Sequence, residues 1–203
     1  MIVQAGSGTI FAMQHAQHIP MRTFLLSLCL APLVLFAQHH SDALVHWTDI
    51  ATVQKAAKKD GKPLLIDVHT SWCGPCRMLD ANTFHDPQTA AYINAHFHPV
   101  NFDAEGADTV VYNGQTYTNP SYNPAMKGSR NGTHQLTMQI APVDGRVAYP
   151  TLVYMDKDGQ VLTPVQGYMT AEQIEPILTF FGEGIYKKQE FTEFQKTFKT
   201  QRK

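Results

Sequence analysis

A short apolar run that empties into two closely spaced cysteines does most to limit the folds open to this chain. Pro63-Leu64-Leu65-Ile66-Asp67-Val68-His69 has the length and branched apolar content of a buried strand, and Lys59-Asp60-Gly61-Lys62 closes whatever precedes it. Trp72-Cys73-Gly74-Pro75-Cys76 follows at once, and Met78, Leu79 and the residues to Phe84 read as helix. The cysteine pair therefore sits where a strand turns into a helix. Cys73 then lies at the helix N-terminus, where unpaired backbone N–H groups and the helix dipole favour negative charge. The thiolate is the attacking form of cysteine, and such a position lowers a thiol pKa from ~8.5 towards neutrality. Cys76 lies one turn inward, within reach of Cys73, and can close a disulfide with it.

With Asp67 six residues before the first cysteine and Tyr149-Pro150-Thr151 further along, Trp72 to Cys76 resembles the thioredoxin superfamily. The likeness covers roughly Trp47 to Phe181. It includes exported bacterial thioredoxin-like domains, such as the C-terminal domain of the periplasmic disulfide-interchange transporter. Two cysteines separated by two residues are a weak signal alone. A Cys-Gly-Pro-Cys after a strand, with Trp before it and Tyr-Pro-Thr later, is a strong one. The resemblance implies an α/β thioredoxin fold with a mixed central sheet flanked by helices. It also implies a redox-active disulfide, Cys73–Cys76, with no other cofactor and no metal. Cys73 becomes the exposed nucleophile and Cys76 the resolving thiol. Asp67, a carboxyl in an apolar strand, moves a proton to and from Cys76; the alternative is a hydrogen-bonded structural aspartate. Trp72, Gly74, Pro75, Tyr149 and a cis Pro150 face the substrate, whose extended chain pairs with the backbone before the proline.

The chain departs from the family pattern in three places. Tyr149 is bulky, which narrows the expected substrate range. His69 replaces the usual aromatic residue and, two residues after Asp67, shares its strand face, either as a partner for the carboxylate or as a packed core histidine. Pro99 stands where a lysine near the buried aspartate is usual.

The 203 residues carry a formal charge of −1 and 43% hydrophobic content, which suits one ordinary soluble domain and gives no sign of a nucleic-acid partner. The N-terminus is more informative. Met21-Arg22, the uncharged apolar run Phe24 to Phe36 and then Ala37-Gln38 have the layout of a secretory signal peptide. That run is too short to span a bilayer, which takes about 20 residues. Residues 1–20 are read as an upstream extension, 21–37 as the signal and 38–46 as a flexible lead-in. Losing the signal removes Cys29 and leaves one cysteine pair, Cys73 and Cys76, in an oxidising compartment.

Residues 47–182 form the expected domain, interrupted by an insertion over about 106–147. Thr48 caps a first helix with Ile50, Val53 and Ala57 on one face. Asn113-Gly114 sits between Val110-Val111-Tyr112 and Gln115-Thr116-Tyr117, a two-residue hairpin signal. Thr133 caps a short helix through Leu136 and Ile140. The insertion's tyrosines, Tyr112, Tyr117 and Tyr122, serve either substrate contact or packing. Thr170 and Gln173 form a capping box for a helix to Phe181. Residues 183–203 read as an extra amphipathic helix with Phe191, Phe194 and Phe198 on one face. From Lys187 onward it holds six Lys or Arg against two Glu, so attraction to anionic lipid stands beside simple docking.

The expected activity is exported thiol-disulfide exchange, reducing protein disulfides, on a monomer recharged by a membrane thiol donor. The alternatives are an oxidase or isomerase of the same fold, or a metal-binding protein that adds His69 or His134 to the cysteines.

Overall fold

The computed structural model describes residues 44–202. The upstream extension, the signal segment with Cys29 and residues 38–43 of the lead-in lie outside them. The remaining lead-in residues do not behave as a free tail. Val45 is buried, the His46 N–H donates to Asn94 Oδ1 at 2.8 Å, and Asn94 Nδ2 donates back to the Leu44 carbonyl at 2.9 Å.

Helix α1 (Ile50–Asp60) is capped by Asp49, whose Oδ1 accepts the Thr52 N–H at 2.9 Å. Thr48, one residue earlier, instead bridges to Val100 in the sheet, so the cap falls on the next residue that offers an acceptor. Gly61, at φ 81°, ends the helix in the left-handed conformation that glycine adopts most readily. Strand β1 (Leu64–His69) follows, then α2 (Gly74–Leu79), which runs into a π turn over Asp80–Phe84. Asp86 caps α3 (Pro87–His96), which leads to β2 (His98–Asp103).

The insertion supplies a separate hairpin, β3 (Val110–Tyr112) and β4 (Gln115–Tyr117), a 3-10 turn at Pro124–Met126, and α4 (Gln135–Ile140). Asn113 and Gly114 both have positive φ, 49° and 80°, as a type I′ turn demands. The cap of α4 is His134 rather than Thr133, its Nδ1 accepting the Leu136 N–H. Tyr112 is buried and its hydroxyl donates to the Gly159 carbonyl, so this tyrosine packs the insertion onto the domain.

Strands β5 (Thr151–Met155) and β6 (Val161–Gln166) complete a four-stranded sheet of order β2-β1-β5-β6. β1 and β2 are parallel, while the β1–β5 and β5–β6 pairs are antiparallel. Pro99, which cannot donate to a ladder, is tolerated because β2 is at an edge. The alternation of β1 sends Leu64, Ile66 and Val68 to one core with α1 and α4, and Leu65 to a second core with α2, α3 and α5 (Ala171–Gly182). Asp67 and His69 share the parity of Leu65, which places them on the α2 face. The Thr170–Gln173 capping box on α5 forms as the sequence indicates.

The C-terminal segment departs from a single helix. A 3-10 turn at Ile185–Lys187 precedes a short α6 (Phe191–Thr197), with left-handed Gly184 (φ 68°) and extended Glu190 at the breaks. The breaks let Phe191 and Phe194 reach Phe180, at centroid distances of 5.2 and 5.6 Å. The aromatic face thus docks on the domain. Among the described residues no helix is long and apolar enough to cross a membrane.

Candidate active site

Cys73 and Cys76 are joined by a disulfide. β1 delivers the chain to Cys73, and α2 starts there because Pro75 is pre-set for a first helical turn. Cys73 is the N-cap of α2, and its Sγ accepts the Cys76 backbone N–H at 3.1 Å. Pro75 has no N–H to add. Contrary to the expectation of an exposed nucleophile, Cys73 is only 2% exposed and Cys76 8%. The reason is tertiary: Cys73 lies at the floor of a groove whose walls are Trp72, Tyr149 and the insertion residues Arg130 and Thr133.

That groove is held by a small polar clasp. Trp72 Nε1–H donates to Glu105 Oε2 at 2.7 Å, and the same oxygen accepts the Asn131 backbone N–H at 2.8 Å. The Arg130 guanidinium lies over the Trp72 ring, 4.4 Å from its centroid, a cation–π arrangement. Tyr149 meets the same ring edge-on at 5.9 Å. The Tyr149–Pro150 peptide is cis, Pro150 is buried, and Tyr149 and Ala148 line the groove beside Gly74 and Pro75. Burial pushes the Tyr149 hydroxyl up to about 12, with Glu105 adding to the rise, so it remains a neutral donor at ordinary pH.

A second groove opens on the other side of the disulfide, lined by Cys76, Asp67, His69, Asn101 and Asp80. Asp67 is 5% exposed, and its Oδ1 has no hydrogen-bond partner among the described residues. Its Oδ2 accepts Asn101 Nδ2 at 3.3 Å, while Asn101 Oδ1 lies 2.7 Å from His69 Nε2. Burial pushes the Asp67 carboxyl from 3.8 up to about 7, against the pull of His69 and with a further push from Asp80. A carboxyl poised there, opening on the same groove as Cys76, can take or give a proton near neutral pH.

The residues picked from sequence thus fall into two sets around one disulfide. Trp72, Gly74, Pro75, Tyr149 and Pro150 surround the Cys73 side; Asp67 lies on the Cys76 side. His69 is not a packed core residue: it is half-buried on the groove wall. His134 is fully buried with both ring nitrogens engaged, by Leu136 N–H and by the Asp108 carbonyl at 2.9 Å, so it has no nitrogen to offer a metal. Asn101, Glu105 and Arg130 were not legible. Asn101 follows from the parallel register that sets it opposite Asp67, and Glu105 and Arg130 from folding the insertion back over Trp72.

A family model described as a thioredoxin-like domain matches residues 50–182. The thiol:disulfide interchange protein DsbD of Escherichia coli (strain K12) is 26% identical over 144 residues, covering 67% of this chain and 21% of the relative. The protein of the same name from Pectobacterium atrosepticum is 25% identical over 149 residues, covering 71% and 21%. The chain spans about a fifth of the length of the curated relatives it matches. Among solved structures, the chain is similar to a disulphide isomerase from Xylella fastidiosa Temecula1 (21% identity, TM-score 0.40, 78% of this chain and 92% of that one). It is also similar to a thioredoxin-fold protein from Helicobacter pylori (18% identity, TM-score 0.45, 68% and 80%).

Proposed function

Because this chain belongs to the thioredoxin-like domain family, we propose that it is an exported thiol-disulfide oxidoreductase that reduces disulfides in protein substrates. The observation that carries the reading is the Cys73–Cys76 disulfide at a helix N-terminus, with a buried carboxyl, Asp67, on the groove behind Cys76. In the dithiol form, the Cys73 thiolate attacks one sulfur of a substrate disulfide. A mixed disulfide forms and one substrate thiolate leaves, taking a proton. Asp67 then accepts the Cys76 proton, and the Cys76 sulfur attacks Cys73. The second substrate thiolate departs and the Cys73–Cys76 disulfide closes; two electrons have passed to the substrate. A dithiol donor must restore the pair, and for an exported protein that donor is a membrane thiol relay. The signal-like segment 21–37 supports export, and DsbD, the name of the curated relatives, is a thiol:disulfide interchange protein.

The donors around Cys73 favour reduction over oxidation of the substrate. Strong oxidants owe their potential to a stabilised reduced form. Here Pro75 withholds an N–H, and among the described residues one backbone donor, that of Cys76, reaches Cys73 Sγ. Fewer donors leave the thiolate less stabilised and favour the reducing direction.

Equilibrating the full-length protein against glutathione or dithiothreitol tests this. A reduction potential of roughly −270 mV is expected, and a value of roughly −120 to −180 mV would replace the reductase with an oxidase or isomerase. Reduction of insulin by the dithiol form should vanish in Cys73→Ser.

A further inference from the structure

We propose that His69, acting through Asn101, positions a hydrogen-bond donor on Asp67 and so sets the pH at which that carboxyl loads and releases its proton. The proposal rests on the acid/base reading of Asp67 given above and adds a positioning residue to it. His69 and Asp67 lie two residues apart on β1 and therefore on one strand face. Their side chains do not meet directly; Asn101, opposite Asp67 in the parallel ladder, stands between them. An amide side chain has one accepting end and one donating end. With His69 Nε2–H donating to Asn101 Oδ1 at 2.7 Å, the amide must turn its NH2 towards Asp67, as the 3.3 Å contact from Nδ2 to Oδ2 has it. A donor on a carboxylate favours the charged form, and so does a nearby imidazolium.

The other groups facing Asp67 work differently. Leu152, its partner on β5, is apolar. Asp80, at the end of α2, favours the protonated acid, and its side chain is 3.6 Å from His85 and half-exposed. Arg77 lines the same groove and donates to the Ser71 carbonyl at 3.2 Å. Among the described residues, the His69–Asn101 pair is thus the arrangement in this groove that supplies a hydrogen bond to the ionised carboxyl. Both residues are solvent-accessible, so neither is needed to fill the core.

The test follows the Asp67 carboxyl carbon by NMR across pH in the disulfide form of the full-length protein, with Asp67→Asn assigning the signal. In His69→Phe and in Asn101→Leu the midpoint should rise by about one pH unit. His69→Gln, which restores a neutral donor, should bring it part of the way back. The pH dependence of insulin reduction should move with the midpoint. An Asp67 midpoint unchanged in both His69→Phe and Asn101→Leu overturns the proposal. The acid/base reading fails separately: it is lost if Asp67→Asn leaves the pH–rate profile unaltered, whatever the titration shows.

Discussion

A carboxyl held at about 7 rather than 3.8 binds its proton more tightly in the folded protein than in the unfolded chain. Asp67 therefore contributes stability that is fully present below about pH 4 and is lost as the pH rises through 7. At 1.36 kcal/mol per pH unit, the interval from 3.8 to about 7 corresponds to roughly 4 kcal/mol. Asp67→Asn carries no charge at any pH. It is expected to be more stable than the wild type at pH 8, by roughly 2 to 4 kcal/mol in urea unfolding, and to lose that advantage by pH 4. Equal stability at pH 8 would mean that burial does not penalise the ionised carboxyl. The domain thus keeps a carboxyl whose ionised form is costly on the groove that Cys76 also lines.

At the scale of elements, the insertion is the piece that changes the site most. Residues 119–132 close on themselves so tightly that a Cβ on Gly132 would lie 2.5 Å from Ser121 Cβ and 2.6 Å from its backbone. Backbone cannot swing aside as the end of a flexible side chain can, so Gly132→Ala must displace the loop and with it Arg130 and Asn131. The wall over Cys73 would then shift while the core of the sheet stays intact. The expected result is a loss of about tenfold in kcat/KM for a protein disulfide, equivalent to about 1.4 kcal/mol. Reduction of the Cys73–Cys76 disulfide by dithiothreitol should change little. Equal losses for both would place the effect in the cysteines rather than in the wall. The same loop shows why Cys73 reads as exposed from sequence and yet is covered. The strand-turn-helix junction is local, and the cover comes from residues some sixty positions later.

Across the whole molecule, the C-terminal tail ties the helices on one face together. Arg202 Nη2 is 2.8 Å from Asp86 Oδ2, its Nη1 donates to Thr89, and Thr200 donates to Glu175 at 2.6 Å. Asp86 is also the cap of α3. Burial alone would raise its carboxyl, but Arg202 and the two Thr89 donors outweigh that and hold it below the ordinary carboxylate value. A depressed carboxylate contributes stability that is present above the unfolded value and lost as the pH falls through the folded one. Arg202→Ala should therefore cost about 1 kcal/mol at pH 7 by chemical unfolding, and nothing once the pH is low enough to protonate Asp86 in the wild type. A loss independent of pH would assign the effect to packing of the arginine stem.

The sequence by itself determined the features built from neighbours in the chain. The β1 run and the Cys-Gly-Pro-Cys junction, the Asn113-Gly114 turn and the Thr170–Gln173 cap each depend on a few consecutive residues whose conformational preferences agree. Only the tertiary structure decided what stands opposite what. The β1–β2 register puts Asn101 between His69 and Asp67, although 34 residues separate it from the aspartate. Glu105 reaches Trp72 across 33 residues, and the C-terminal helix breaks where its aromatic face has to meet Phe180. Such pairings depend on strand register and helix docking, which are set by the burial of the whole core, and no short window of residues encodes them.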